Sequence, residues 1–137
     1  MNVLIVPSWY TSDSNKILGS FFREQAVALR KAGHHVTLAY VYMRSVRELV
    51  SPDLYRIRKY EDEGVKTYCY NIPSLGSMHR GKWFQKNIKA YRKLLRYVLK
   101  REPVEIIHAH SFLPAGFAMV SLKEEFQIPV VYTEHYS

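Results

Sequence analysis

Glu105-Ile106-Ile107-His108-Ala109-His110-Ser111-Phe112-Leu113-Pro114-Ala115-Gly116 is the stretch whose reading decides the fold. An apolar run ends in polar side chains and passes at once into residues that can open a helix. That is how a buried strand of an α/β sheet delivers functional groups to the sheet edge. His108 and His110 lie two apart, so on a strand they face one side. Pro114 suits the first turn of a helix, where its missing N–H is not needed and the other free N–H groups attract anions. The segment therefore suits a negatively charged or hydroxyl-rich ligand.

Outward from it, the chain repeats the same grammar. Asn2 to Val6 is a short continuous apolar run ended by Pro7, as expected of a central parallel strand covered on both faces. A polar loop, Ser8 to Leu18, leads to Gly19 and Ser20, and then Phe22, Ala26 and Leu29 fall at helical spacing before the stop at Gly33. His35 to Val41 reads as the second strand. Arg56 to Arg58 and Val65 to Asn71 flank Glu61-Asp62-Glu63-Gly64 and read as a hairpin whose second arm joins the sheet. Tyr40, Tyr42, Tyr68 and Tyr70 read as strand packing. Pro73 to Lys82 is a loop, a helix runs from about Pro114 to Phe126, and Val130 to Thr133 is the last strand.

Strands alternating with helices predict a three-layer, Rossmann-like parallel sheet with right-handed crossovers, in the order 3-2-1-4-5. There the first and fourth strands are neighbours whose connections leave in opposite directions, and the crevice between their carboxyl ends is the expected ligand site. Ser8, Trp9 and Gly19 line it from one side and His108, His110 and Ser111 from the other. Glu134 and His135 arrive at the end of the fifth strand.

Composition narrows the class. The 137 residues suit one domain, and 47% hydrophobic with 23% charged residues is ordinary for a globular protein. Cys69 is the single cysteine, no apolar run reaches the length of a membrane span, and the first residues lack the basic start of a signal peptide. A cytoplasmic location is the expectation. The net charge of +8 is concentrated between His79 and Arg101, which holds no acidic residue. Phe84, Ile88, Tyr91, Leu95 and Val98 recur there at spacings of four and three, giving one apolar helix face under a basic coat. Such a coat is either a solvated face or a surface for anionic lipid head groups through Lys82, Lys86, Lys89, Lys93 and Arg96, which would place the protein peripherally at the inner face of a membrane. Nucleic acid is disfavoured, because the aromatic or glycine signatures of such modules are missing.

Taken together, these motifs resemble the amino-terminal domain of family 4 glycosyltransferases of the GT-B fold. The likeness covers nearly the whole chain. It rests on the opening strand, Gly19-Ser20-Phe21-Phe22 followed by Glu24-Gln25-Ala26, the Gly33-His34-His35-Val36 step, Ile107-His108-Ala109-His110, and the closing Thr133-Glu134-His135. The resemblance implies that residues 1–137 are the acceptor-side half of a retaining hexosyltransferase of polysaccharide biosynthesis. A separate carboxyl-terminal domain, the chain's main partner, would bind the nucleotide sugar, which is a substrate; no cofactor is implied, and this half alone is expected to be inactive.

The resemblance further implies that Gly19 and Ser20 approach the donor diphosphate, since glycine lets backbone N–H groups come close to phosphate. His110 matches the strand-end histidine that faces the reacting sugar and could donate to a hydroxyl or a phosphate oxygen. Glu134, His135 and Ser111 fall where acceptor or sugar contacts are made, with Trp9 a possible platform for a sugar ring. His108, deeper in the strand, is expected to support His110. No metal ligand is assigned.

Two other classes fit parts of the pattern. A zinc-dependent hydrolase can show a His-x-His strand end with a later histidine, here His135, and Glu134 could be a further ligand, but metal sites need three or four ligands and no carboxylate or histidine series comes from other strand ends. A non-catalytic binding module is the other. A nicotinamide-binding domain is disfavoured because Gly-x-Gly-x-x-Gly does not follow the first strand.

Overall fold

The computed structural model describes residues 1–10, 19–44, 54–74 and 80–135. Its strands are β1 (Asn2–Pro7), β2 (His35–Arg44), β3 (Ile57–Asp62), β4 (Val65–Pro73), β5 (Ile106–His110) and β6 (Val130–Thr133). The helices are α1 (Ser20–Lys31), α2 (Arg80–Leu99) and α3 (Phe117–Phe126). Most of the expected loop at Ser8 to Leu18, and residues 75–79 of the one expected at Pro73 to Lys82, lie outside the described residues; Arg80 to Lys82, expected in that loop, form the first turn of α2 instead.

The sheet order is β3-β4-β2-β1-β5-β6. All pairs are parallel except β3 with β4. With the hairpin's first arm set aside, this is the 3-2-1-4-5 order expected from the alternation of elements. The hairpin turns at Glu63 and Gly64, both with positive φ (50° and 83°), the backbone a tight two-residue hairpin demands.

Three layers follow from β1 being apolar on both faces. Leu4 and Val6 belong to the core built with Tyr91, Leu94, Leu95 and Val98 of α2 and Met119 and Leu122 of α3. Val3 and Ile5 belong to the core on the opposite face, closed by Phe22 and Ala26 of α1. On α2 the buried stripe is Asn87, Ala90, Tyr91, Leu94, Leu95 and Val98, while Phe84 and Ile88 of the expected face are only partly covered. Burying a Leu or Val side chain contributes about 1.5–3 kcal/mol, so this stripe anchors the helix.

At the amino edge of the sheet, Glu102 carries a side chain only 3% exposed. The Tyr68 hydroxyl donates to its Oε1 at 2.9 Å, and Lys66 Nζ lies 3.4 Å from Oε2. Burial pushes this carboxyl up, but the Tyr68 hydrogen bond and the Lys66 and Lys59 charges outweigh it and hold it below the usual range.

The helix expected from about Pro114 begins differently. α3 starts at Phe117 and is preceded by one wide π-type turn, Phe112–Gly116, inside which Leu113 is non-helical. A side chain from the other end of the chain bridges this turn. Ser8 Oγ donates to Ser111 O at 3.0 Å and accepts from Ala115 N–H at 3.0 Å. With that N–H occupied, Gly116 N–H reaches Ser111 O instead, at 3.0 Å. An inserted hydroxyl thus turns an i→i+4 bond into an i→i+5 bond.

Candidate functional site

β1 and β5 are paired in register, Ile5 with His108 and Pro7 with His110, and beyond their carboxyl ends the chain leaves toward opposite faces. His108 and His110 do face one side, with ring centroids 4.1 Å apart. His110 is fully buried. Its Nδ1 lies 2.9 Å from His135 Nε2, and the two rings stack at 5.1 Å and 20°. One nitrogen must donate and the other accept, so the tautomers of the two residues are linked. His108 Nε2 lies 2.8 Å from Thr133 Oγ1, which ties that ring to β6.

The electrostatics oppose charge on the two strand histidines. Burial, then the neighbouring His108 and His135, push the His110 imidazole down to about 3. Burial and His135 also lower His108. His110 is therefore neutral at pH 7, and its Nε2 is buried with no hydrogen-bond partner among the described residues. A buried polar atom without a partner is where a ligand atom is missing or a functional constraint is stored.

Ser111 follows with φ +68° and ψ 140°, a strained region for a residue with a side chain. Its N–H donates to Thr133 O at 2.8 Å, and its carbonyl accepts from both Ser8 Oγ and Gly116 N–H. Its hydroxyl, expected to contact the acceptor, is buried without a partner among the described residues. The Glu134 carboxylate accepts from Tyr132 OH, from His135 N–H at 3.1 Å and from Phe112 N–H at 3.2 Å. The Tyr132 hydrogen bond leads in holding that carboxyl below its ordinary range. Phe112 and Ala115 N–H groups are thus already engaged by Glu134 and Ser8, and the anion-binding character expected at Pro114 is met from within the chain.

On the other wall, Gly19 has φ +73° at the start of α1. A Cβ there would lie 3.0 Å from Tyr10 Cα and 3.2 Å from Trp9 O, so backbone direction and lack of space both demand glycine. Ser20 is partly exposed, and the first turn of α1 holds no acidic residue. Trp9 packs edge-on against Phe22 at 5.3 Å, and Phe22 in turn lies 5.1 Å from the His110 ring.

Residues not singled out from the sequence complete the site. Phe21 is 41% exposed and packs 4.7 Å from His135, at the open side of the cluster. Phe22 is the buried ring between Trp9 and the histidines. The signal was available: two consecutive aromatics at a helix start cannot both face the core, so one must sit at the rim.

The basic coat lies elsewhere, on α2. Lys86 Nζ donates to Pro73 O, Lys93 Nζ sits 4.9 Å above the Tyr70 ring, and Arg96 Nη2 lies 3.4 Å from Glu125 Oε1. Of the five cations expected to meet an anionic surface, Lys82 and Lys89 are exposed and show no such contact among the described residues. Among the described residues no group of three or more His, Cys, Asp or Glu is placed to hold a metal ion, and no helix is long and apolar enough to cross a membrane.

Comparison with known proteins gives a family and a fold. The model of the glycosyl transferase 4-like domain matches residues 18–137. No curated protein matches. Among solved structures, sucrose-phosphate synthase from Thermosynechococcus elongatus is similar at 17% identity and a TM-score of 0.66, over 99% of this chain and 33% of that one. The catalytic domain of starch synthase IV from Arabidopsis thaliana is similar at 14% identity and a TM-score of 0.60, over 98% and 34%. The C-terminal domain of a hydrogenase from Pyrococcus furiosus reaches a TM-score of 0.63 at 13% identity, over 96% and 89%. The chain thus spans about a third of the two synthase chains, and at these identities the likeness speaks for the fold alone.

Proposed function

Because the chain belongs to the family of glycosyl transferase 4-like domains, we propose that it is the acceptor-side half of a retaining hexosyltransferase that moves a sugar from a nucleotide-sugar donor to a glycan or lipid-linked acceptor. The observation that carries this reading is the meeting of neutral, desolvated His110 with the glycine-started helix α1 at one sheet edge. The donor nucleotide belongs to a second domain, so this half is inactive by itself.

In such a transfer, negative charge develops on the departing diphosphate. The first turn of α1 offers backbone N–H groups with the positive end of the helix dipole, and Gly19 allows phosphate to approach. No first-turn carboxylate opposes it. His110, neutral and linked to His135, would give one directed hydrogen bond to a sugar hydroxyl or phosphate oxygen. His135 fixes which nitrogen carries the proton. Ser111, Glu134 and Phe21 border the side open to the acceptor. Catalysis here rests on positioning and charge stabilisation, with no carboxylate nucleophile required from this half. Exposed Lys82 and Lys89 would orient the protein on the anionic cytoplasmic leaflet.

The test is His110→Ala in the protein extended by its donor-binding domain. Transfer should fall about 10²–10³-fold with the fold retained, as for loss of a donor aimed at developing charge. His108→Ala should act mainly on the thermal midpoint, because that ring is bound to Thr133 within the sheet. Near-normal kcat in a folded His110→Ala enzyme would remove the proposed role.

A further inference from the structure

We propose that Ser8 is a positioning residue of this site: its hydroxyl, wedged between the Ser111 carbonyl and the Ala115 amide, holds the β5–α3 turn in its wide form and thereby fixes where Ser111 presents its side chain. The inference rests on the acceptor-side reading above.

Ser8 is the first residue after β1, and its N–H extends the β1–β5 ladder by donating to His110 O at 3.1 Å. Its side chain then bridges two atoms that a regular helix start would join directly. Ser111 O and Ala115 N stand in the i→i+4 relation, yet each is 3.0 Å from Ser8 Oγ. The displaced bond runs from Gly116 N–H to Ser111 O. One hydroxyl therefore occupies the place of the tight turn's closing bond, beside the extended backbone of Leu113.

Ser111 has no local reason for its φ of +68°. It is not glycine, and its hydroxyl forms no hydrogen bond with the nearby backbone that would reward the conformation. The conformation is imposed from outside, by Thr133 O on its N–H and by Ser8 and Gly116 on its carbonyl. The result is a pair of consecutive residues, His110 and Ser111, each with a buried side-chain atom lacking a partner among the described residues. A fold that spends strain to aim two unsatisfied polar groups at the end of its central strands is holding them ready for a ligand.

Ala115 is fully buried, so its N–H needs an acceptor. In Ser8→Ala the nearest one is the Ser111 carbonyl. The turn should then tighten to i→i+4, and Ser111 should relax out of the left-handed region. Ser8→Thr keeps the hydroxyl and should restore the wide turn.

Labelled chain of the wild type and both variants gives the first readout. Ser111 Cα and Cβ resonances should move from their wild-type values in Ser8→Ala and return in Ser8→Thr, while resonances of Val3 to Val6 stay in place. The second readout is kinetic, in the protein extended by its donor-binding domain. Ser8→Ala should lose up to about 10²-fold in kcat/KM for the acceptor, as misplacement by about an ångström can cause, with KM for the nucleotide sugar unchanged. Should the alanine variant not fold, Ser8→Cys, similar in size with a weaker donor, should show an intermediate displacement of Ser111. Unchanged Ser111 resonances, or a displacement with unaltered acceptor kinetics, would overturn the positioning role alone. Absence of transfer by the unsubstituted two-domain protein would overturn the proposed function, and the positioning role with it.

Discussion

Acidification should destabilise this chain through His110. The imidazole is held down to about 3 in the folded state by burial and by its histidine neighbours, whereas an unfolded histidine titrates near 6.5. Above that value both states are neutral and the stability is fully present. As the pH falls, the unfolded chain takes up a proton that the folded one refuses, and stability is lost until the pH nears the folded value. Integrated from pH 7 to pH 5, one such site costs about 2 kcal/mol. His108 is lowered as well and adds loss in the same direction, so the informative quantity is a difference. Urea melts of wild type and His110→Gln at pH 7, 6 and 5 should converge: the variant is less stable at pH 7 but loses less on acidification. Parallel profiles for the two proteins, or a His110 ring titrating near 6.5 in histidine NMR spectra, would refute the reasoning.

Three further outcomes follow from the geometry. Gly19→Ala should lower the unfolding free energy by at least about 1–2 kcal/mol for the left-handed backbone alone, since the new Cβ also meets the Tyr10 and Trp9 backbone; an unchanged urea midpoint would count against that packing. Glu102→Ala should cost about 1–3 kcal/mol by leaving the Tyr68 hydroxyl without its buried acceptor, and adding Tyr68→Phe should recover part of it in a double-mutant cycle. Replacing Lys82 and Lys89 by glutamine should weaken binding to anionic vesicles by about 1 kcal/mol per residue, more than replacing Lys86, Lys93 and Arg96, whose side chains are held against Pro73, Tyr70 and Glu125; equal losses from both sets would contradict that division.

The strand order was legible because it depends on short-range signals. Val3 to Val6 is apolar on both faces, Ile106 and Ile107 open β5 with the same character, and Gly33 and Glu63-Gly64 punctuate the chain where the backbone turns. The common face of His108 and His110 needed only the period of a strand. What sequence could not show are pairings between distant residues. Ser8 reshapes a turn 103 to 107 positions away, so a proline that suits a helix start opens a wide turn instead. Glu134 occupies Phe112 N–H from 22 positions on, filling a place that looked free for an anion. On α2 the charges were visible, but the tethering of Lys86 to the Pro73 carbonyl, of Lys93 over the Tyr70 ring and of Arg96 to Glu125 was not.

The place of β1 at the centre of the sheet also sets a clock on synthesis. Its first partner, β2, emerges from the ribosome soon after it, but β5, which pairs with Val3 to Pro7, follows roughly a hundred residues later. At about 5–20 residues per second, the edge of β1 waits some 5–20 seconds for its second neighbour. During that interval Leu4 and Val6 lack the helix α3 that later covers them. A nascent chain halted before His110 should thus be a good client for chaperones that hold exposed apolar strands, and release should coincide with the moment Ser8 finds the β5 turn.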